Sequence, residues 1–399
     1  MKISSKAKNA ILLGALCSIS YLAVYIARNV LSAVTPQMIE NGFSEVYIGK
    51  LSSVYFVVYA VGQLINGIIG DKIKARYMIS LGLLLAGACN ALFPFISEWR
   101  AGAILIYAMT GFFLAMIYGP MAKVVAENTE PKYTTRCSIG YTFSSFFGSP
   151  MAGMLAMILS WQGVFVSSSV MLFAMAIISF GFFLSFEKKG IVKYNQYVPC
   201  EKGAAGIRVL FKHDIVKYTL VAILTGIVRT SVVFWLPTYI SQHLGFSSKT
   251  AAGLFTVATL FISTTTFIAV FIYERLHNDL DKTVLVMFLS SALFFAGTYF
   301  FKQPIVNIIL MILAIMSADG ASAMLWSRYC PSLRDTGKVS AVTGFLDFVS
   351  YIGAAIANIV FANAVLSIGW GNLILVWLML MVFGVVISLP YRKKQRKTI

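Results

Sequence analysis

The sequence predicts an all-α membrane protein, with twelve transmembrane helices in two parallel six-helix repeats. Three observations carry that reading. Hydrophobic residues make up 59% of the 399 and charged residues 12%, the composition of a chain that crosses a bilayer many times. At about 20 residues per crossing, apolar segments stand near 10–34, 47–69, 77–96, 101–125, 137–159, 162–186, 215–240, 250–273, 283–301, 304–326, 338–365 and 370–390. The second half also repeats landmarks of the first: Arg28 and Pro36 match Arg229 and Pro237 at an offset of 201. Gly42-Phe43-Ser44 matches Gly245-Phe246-Ser247, and Asp71-Lys72 matches Glu274-Arg275, both at an offset of 203. Pro131 and Pro331 follow at an offset of 200.

Charge fixes the orientation expected of these segments. Of the 32 Lys and Arg, 26 fall at the two termini and in the loops after even-numbered spans. Lys50, Arg100, Lys249 and Lys302 lie on the other side, and Arg28 and Arg229 lie within spans. Basic loops face the cytoplasm, so both termini are expected there, in a multi-pass cell (inner) membrane protein. The net charge of +17 therefore belongs to the bilayer surface and not to a nucleic-acid site. Six spans per half bring the second repeat in from the same side as the first, so the repeats are parallel. The expected domains are 1–186, a cytoplasmic linker at 187–212 that is basic and carries Gly190, Pro199, Gly203 and Gly206, and 213–399. A cavity at mid-membrane is expected where the halves face each other.

In chain order, the first span carries Arg28 with no acid on its own helix. An arginine near mid-membrane costs roughly 2.5–3.5 kcal/mol on insertion scales, so it normally faces a cavity or a partner. The second span presents Tyr59, Gln63 and Asn66 on one helical face, lining either a cavity or a helix contact. It ends in Gly67-Ile-Ile-Gly-Asp71-Lys72-Ile-Lys74-Ala-Arg76, an acid set among bases at the cytoplasmic edge. The fifth span holds Gly148-Ser149-Pro150 and Gly153, small residues suited to close helix approach. Arg229 returns in the seventh span, again without a local acid and again eight residues before a proline. Asp319 and Asp347 add acids in spans ten and eleven, with Tyr351 one turn beyond Asp347.

Five cysteines without a C-x-x-C pair imply no disulfide or metal framework. His213, His243 and His277 all sit at span ends. With no metal-ligand cluster and no nucleophile motif, neither an enzyme, a metal site nor a cofactor is expected, and the chain is expected to be a monomer.

The chain resembles the major facilitator superfamily over essentially its whole length. The run Gly67-x-x-x-Asp71-Lys72-x-x-x-Arg76 is similar to that family's loop 2–3 signature, with Lys74 and Ala75 departing from it. Arg229-x-x-x-x-x-Trp235-x-Pro237-Thr238-Tyr239, Tyr21-x-x-x-Tyr25-x-x-Arg28, Gly344-Phe345 and Tyr351-Ile352-Gly353 resemble the organophosphate:phosphate antiporter branch, the glycerol-3-phosphate and hexose-phosphate transporters. The resemblance implies that Arg28 and Arg229 grip a phosphate group while Tyr25 and Tyr351 donate hydrogen bonds, with Tyr21 and Gln63 nearby. Gln63 stands where the branch commonly has a lysine, span five lacks the branch's histidine, and Phe234 replaces an acid.

A planar, permanently charged guanidinium suits phosphate, which it can take bidentately. The competing expectation is that each arginine pairs with a buried acid, Asp319 or Asp347. The reading is thus a secondary transporter of a small anion, an organophosphate exchanged for inorganic phosphate by alternating access. Asp71, Lys72 and Arg76, with Glu274 and Arg275, would form the cytoplasmic gate. The alternatives are a proton-coupled symporter of a carboxylate, phosphonate or zwitterionic solute using Asp347 or Asp319, and, outside transport, a transporter-derived membrane sensor.

Overall fold

The computed structural model describes residues 5–70, 73–194, 214–333 and 339–389. Among these the regular structure is helical, and each of the twelve apolar segments coincides with helix. Among the described residues, ten helices are long and apolar enough to cross a membrane. The last of them, Val342–Ser388, is divided by Gly369, whose backbone (φ 75°, ψ 168°) is non-helical, and Ser144–Ile158 is a shorter apolar helix. Only glycine takes such a φ without strain, which is why one long apolar run is two helices.

The chain packs as two units. Unit 1 comprises Met1–Lys202 together with Thr230–Ser263 and Ala354–Ser367. Its helices are α1 (Ser5–Glu40), α2 (Glu45–Gly70), α3 (Ala75–Ile96), α4 (Arg100–Leu114), α5 (Tyr118–Asn128), α6 (Pro131–Ile158) and α7 (Trp161–Lys188). The fourth apolar segment, read as one span, breaks between α4 and α5 at residues 115–117. Glycine sets the closest approach between α1 and α6: a Cβ on Gly148 would lie 2.7 Å from the Tyr25 carbonyl carbon. The later segments join this unit through polar contacts. Ser32 Oγ donates to the Phe234 carbonyl at 2.8 Å, and Asn358 Nδ2 donates to Ser52 Oγ at 2.9 Å. Gln242 Nε2 donates to Glu45 Oε1 at 2.7 Å. Gly49 lies against Ala362, where an added Cβ would meet the alanine methyl at 2.6 Å.

The repeated Gly-Phe-Ser motif has one local structure twice over. Gly42 and Gly245 both end a helix with positive φ, 90° and 77°. The serine two residues on then caps the next helix: Ser44 Oγ accepts from Tyr47 N at 3.3 Å, and Ser247 Oγ accepts from Thr250 N at 3.2 Å. A left-handed glycine followed by a serine N-cap is an economical helix-to-helix turn, and it accounts for the repeat in backbone terms.

Unit 2 comprises Gly203–Arg229, Thr264–Gly353 and Ile368–Ile399. Its described helices are α8 (Ile215–Gly226), α11 (Thr265–Arg275), α12 (Leu280–Phe300), α13 (Pro304–Met324) and most of α15 (Val339–Ser388); α9 (Val233–Thr238) and α10 (Ser248–Ser263) belong to unit 1, and α14 (Cys330–Ser332) is a single turn. α8 meets α15 through another glycine: a Cβ on Gly226 would lie 2.7 Å from the Ser350 carbonyl oxygen. Asp279 caps α12, accepting from Lys282 N at 3.0 Å. That backbone bond holds its carboxyl below the usual range, against the opposing effect of partial burial.

Candidate functional site

Arg28 lies on α1, three residues after Tyr25, where Gly148 lets α6 come close. The residue is half-buried. Its central guanidinium carbon is 5.0 Å from the centre of the Tyr59 ring, 5.3 Å from Tyr25 and 5.5 Å from Phe56. Tyr59 and Phe56 are buried, whereas Tyr25 is half-buried. Each ring face attracts a cation by roughly 0.5–2 kcal/mol, most where water is excluded. Several such faces offset the cost of holding the charge at membrane depth. A ring face engages the flat side of a guanidinium, whereas an anion is taken by its N–H edge.

Around this cage lies a second aromatic group. Tyr21 is 4.9 Å from Tyr25, 5.5 Å from Tyr118 and 6.2 Å from Tyr141, ring centre to ring centre. Tyr118 opens α5, directly after the break in the fourth segment, and is exposed. Tyr21 and Tyr25 belong to the motif around Arg28, whereas Phe56, Tyr118 and Tyr141 lie outside it. Phe56 carried a usable signal, since it stands three residues before Tyr59 on the same face of α2. Tyr118 and Tyr141 carried none, because only packing brings α5 and α6 to Tyr21. The Tyr59, Gln63 and Asn66 stripe divides between its two readings. Tyr59 faces Arg28 and Gln63 is half-buried, whereas Asn66 is buried and donates to the Phe112 carbonyl of α4 at 3.3 Å.

Arg229 has a different backbone. It sits in Ile227–Val232, a π-helical segment that follows α8. An extra residue per turn re-aims the side chains that follow, and such bulges concentrate at functional sites. Nothing in the matching sequence around Arg28, which lies in unbroken α-helix, signals this difference. Arg229 is half-buried. Asp319, half-buried on α13, is within electrostatic reach of it. Asp319 itself makes no hydrogen bond or ion pair among the described residues. On α15, Asp347 is half-buried and Tyr351, one turn further, is buried.

Of the gate residues, Asp71 and Lys72 lie outside the described residues. Arg76 is buried and bound within unit 1: Nη1 pairs with Glu187 Oε2 at 2.7 Å, and Nη2 donates to the Tyr77 hydroxyl at 2.6 Å. The Tyr194 hydroxyl donates to the other Glu187 oxygen at 2.8 Å. Burial, then this bond to the carboxylate, raises the Tyr194 phenol well above its ordinary range. Asn128 fastens the same strip of chain, donating to the Lys193 carbonyl at 3.0 Å and accepting from its amide at 2.6 Å. The adjacent Glu127 has both carboxylate oxygens buried without a hydrogen-bond partner among the described residues. Neither Glu187 nor Tyr194 was expected at this site. The repeat does not extend to this bonding: Glu274 and Arg275 are exposed, with the Arg275 guanidinium 5.3 Å from the Phe271 ring centre. No group of three His, Cys, Asp or Glu able to hold a metal ion occurs among the described residues.

Apolar helices long enough to cross a bilayer, with a half-buried arginine within the apolar segments of each packing unit, mark a multi-pass membrane protein. Residues 17–358 match the Major Facilitator Superfamily, and the chain belongs to that family of transporters. It is 23% identical over 378 residues to the glycerol-3-phosphate transporter of Bacillus subtilis, covering 88% of this chain and 83% of that protein. It is 21% identical over 381 residues to the glucose-6-phosphate exchanger SLC37A2 of Bos taurus, covering 82% and 76%. Over 96 residues, 24% of this chain and 22% of the other, it is 32% identical to the membrane sensor protein UhpC of Escherichia coli. The likeness to the organophosphate:phosphate antiporter branch drawn from the arginine motifs thus extends over most of the chain.

Among solved structures, a bacterial homolog of the human lysosomal transporter Spinster, inward-facing and unoccupied, superposes with a TM-score of 0.77 at 13% identity, covering 95% of this chain and 96% of that one. A D-xylose-proton symporter gives 0.70 at 13% identity, covering 97% and 98%. At such identity the likeness concerns the fold alone.

Proposed function

We propose that this protein is a secondary transporter that exchanges a small organophosphate for inorganic phosphate by alternating access. Arg28 and Arg229 are its phosphate-binding cations, and Tyr21, Tyr25, Gln63 and Tyr351 are further substrate contacts. The observation that carries this reading is the setting of Arg28. Three aromatic faces hold its charge at membrane depth in a manner suited to an arriving anion. The relatives support the same reading by their names, a glycerol-3-phosphate transporter and a glucose-6-phosphate exchanger. In this reading the protein is a monomer in the cell (inner) membrane, and the distribution of basic loops supports both termini in the cytoplasm.

Proteoliposomes loaded with phosphate are expected to take up labelled external phosphate by exchange. The likeness to a membrane sensor over 96 residues gives a second reading, a transporter-derived sensor. Purified protein that binds phosphate but exchanges none would favour it. A proton-coupled symporter, using Asp347, would instead show uptake driven by a proton gradient and lost in Asp347→Asn.

Phe56→Leu and Tyr59→Leu each remove one face of the cage. Each is expected to weaken phosphate binding several-fold and to lower stability by about 0.5–2 kcal/mol, read by isothermal titration and thermal melting. Unchanged binding in both variants would mean that the rings only pack.

In the proposed orientation the bonds between Ser52 and Asn358, Ser32 and the Phe234 carbonyl, and Glu45 and Gln242 lie toward the outer face and close it. Asn358 is fully buried and its Oδ1 has no hydrogen-bond partner among the described residues, a cost that offsets part of what the Nδ2 bond contributes. Asn358→Ala is expected to remove about 0.5–1.5 kcal/mol from the outer closure. Labelling of a cysteine placed near the outer end of α2 should rise accordingly, and an unaltered labelling rate would exclude a gating role.

A further inference from the structure

Four charged side chains lie well inside the apolar segments, Arg28, Arg229, Asp319 and Asp347. Unit 2 holds three of them, one guanidinium and two carboxylates, so that unit is net negative at depth. Asp319 lies 15 residues into α13, about 22 Å along its axis at 1.5 Å per residue. An ionised carboxylate there is costly unless it is paired, yet Asp319 makes no hydrogen bond or ion pair among the described residues and its charged neighbour is Arg229. The residue is half-buried. A doubly negative phosphate ester without an amino group offers this carboxylate at most a neutral hydroxyl donor and adds to the negative charge of the unit.

A ligand carrying both a phosphate and an ammonium group meets both needs. Resting on the phosphate-exchange reading above, we propose that the organic substrate is an amino-bearing phosphate ester, whose phosphate is taken by Arg229 and whose ammonium group is taken by Asp319 of the same unit. The ammonium supplies the hydrogen-bond donors that Asp319 lacks and cancels one of the two negative charges that the phosphate brings. Gln63 in the second span, a neutral side chain, adds no further cation to compete with that group.

The test uses purified protein in phosphate-loaded vesicles and two probes of nearly equal size, 2-aminoethyl phosphate and 2-hydroxyethyl phosphate. Each is titrated as an inhibitor of labelled phosphate uptake. In the natural protein the amino compound is expected to compete at least tenfold better than the hydroxyl compound. In Asp319→Asn, which keeps the shape and removes the charge, the ratio is expected to fall below about twofold. Because the ratio is taken within each variant, a general loss of transport does not imitate the result.

Equal competition by the two probes in the natural protein overturns the proposal, and that arm stands even if Asp319→Asn does not fold. A preference retained in Asp319→Asn but lost in Asp347→Asn overturns the assignment to Asp319. Vesicles that exchange phosphate without any amino preference reject the amino substrate while leaving the exchanger intact. Vesicles that exchange no phosphate at all reject both.

Discussion

Arg28→Lys and Arg229→Lys are each expected to lower phosphate affinity by well over tenfold, more than about 1.4 kcal/mol, with little change in expression. Lysine keeps the charge but loses the planar fork that meets two phosphate oxygens at once, and it presents no flat face to the rings of Tyr25, Phe56 and Tyr59. The effect at position 28 therefore combines lost anion geometry with lost stacking. At position 229 the π-helical segment sets where the fork points, so a flexible ammonium should not recover the same geometry. Titration of phosphate into purified variants, with melting temperatures measured in parallel, decides the matter. If Arg229 served as a structural counter-ion to a carboxylate, Arg229→Lys would bind phosphate nearly normally. Arg229→Ala would then leave a buried charge unpaired, at a cost on the order of 3–5 kcal/mol.

Glu187→Ala is expected to produce the largest loss of stability outside the arginine sites. The Arg76 and Glu187 side chains are only 9% and 19% exposed, so the pair belongs nearer the buried class than the surface class. Surface pairs are worth about 1 kcal/mol or less, whereas removing one partner of a buried pair costs about 3–5 kcal/mol. The loss should fall between these figures, because Arg76 keeps its bond to the Tyr77 hydroxyl while Tyr194 loses its acceptor. Tyr194→Phe removes one hydrogen bond and should cost about 0.5–1.5 kcal/mol. Thermal melts of the two variants in detergent order these effects. A Glu187→Ala melt that matches the parent would show that the cluster is solvated and carries no structural weight.

The helical class, the apolar segments and the two arginines were legible because each is a property of composition or local spacing. An apolar run of about 20 residues needs no partner to announce a crossing, and a lone guanidinium within one is conspicuous for its insertion cost. The Gly-Phe-Ser turns were legible as well, since a left-handed glycine and a serine cap are short-range devices. Gly148 was recognised as a small residue, but that it sets the approach of α6 to Tyr25 required the packed structure.

What the tertiary structure alone decided is what surrounds each charge. Phe56 and Tyr59 come from α2, and Tyr118 and Tyr141 from α5 and α6, so the cage and the aromatic group beside it exist only after those helices pack against α1. Arg76 found its acid at Glu187, 111 residues away, a separation that no sequence pattern encodes. Arg28 and Arg229 share a motif yet occupy an α-helical and a π-helical backbone, because helix type there depends on hydrogen bonds and neighbours and not on the repeated residues. Sequence determined which side chains are too costly to place in a membrane without purpose; packing determined that aromatic faces surround one arginine and that an acid lies near the other.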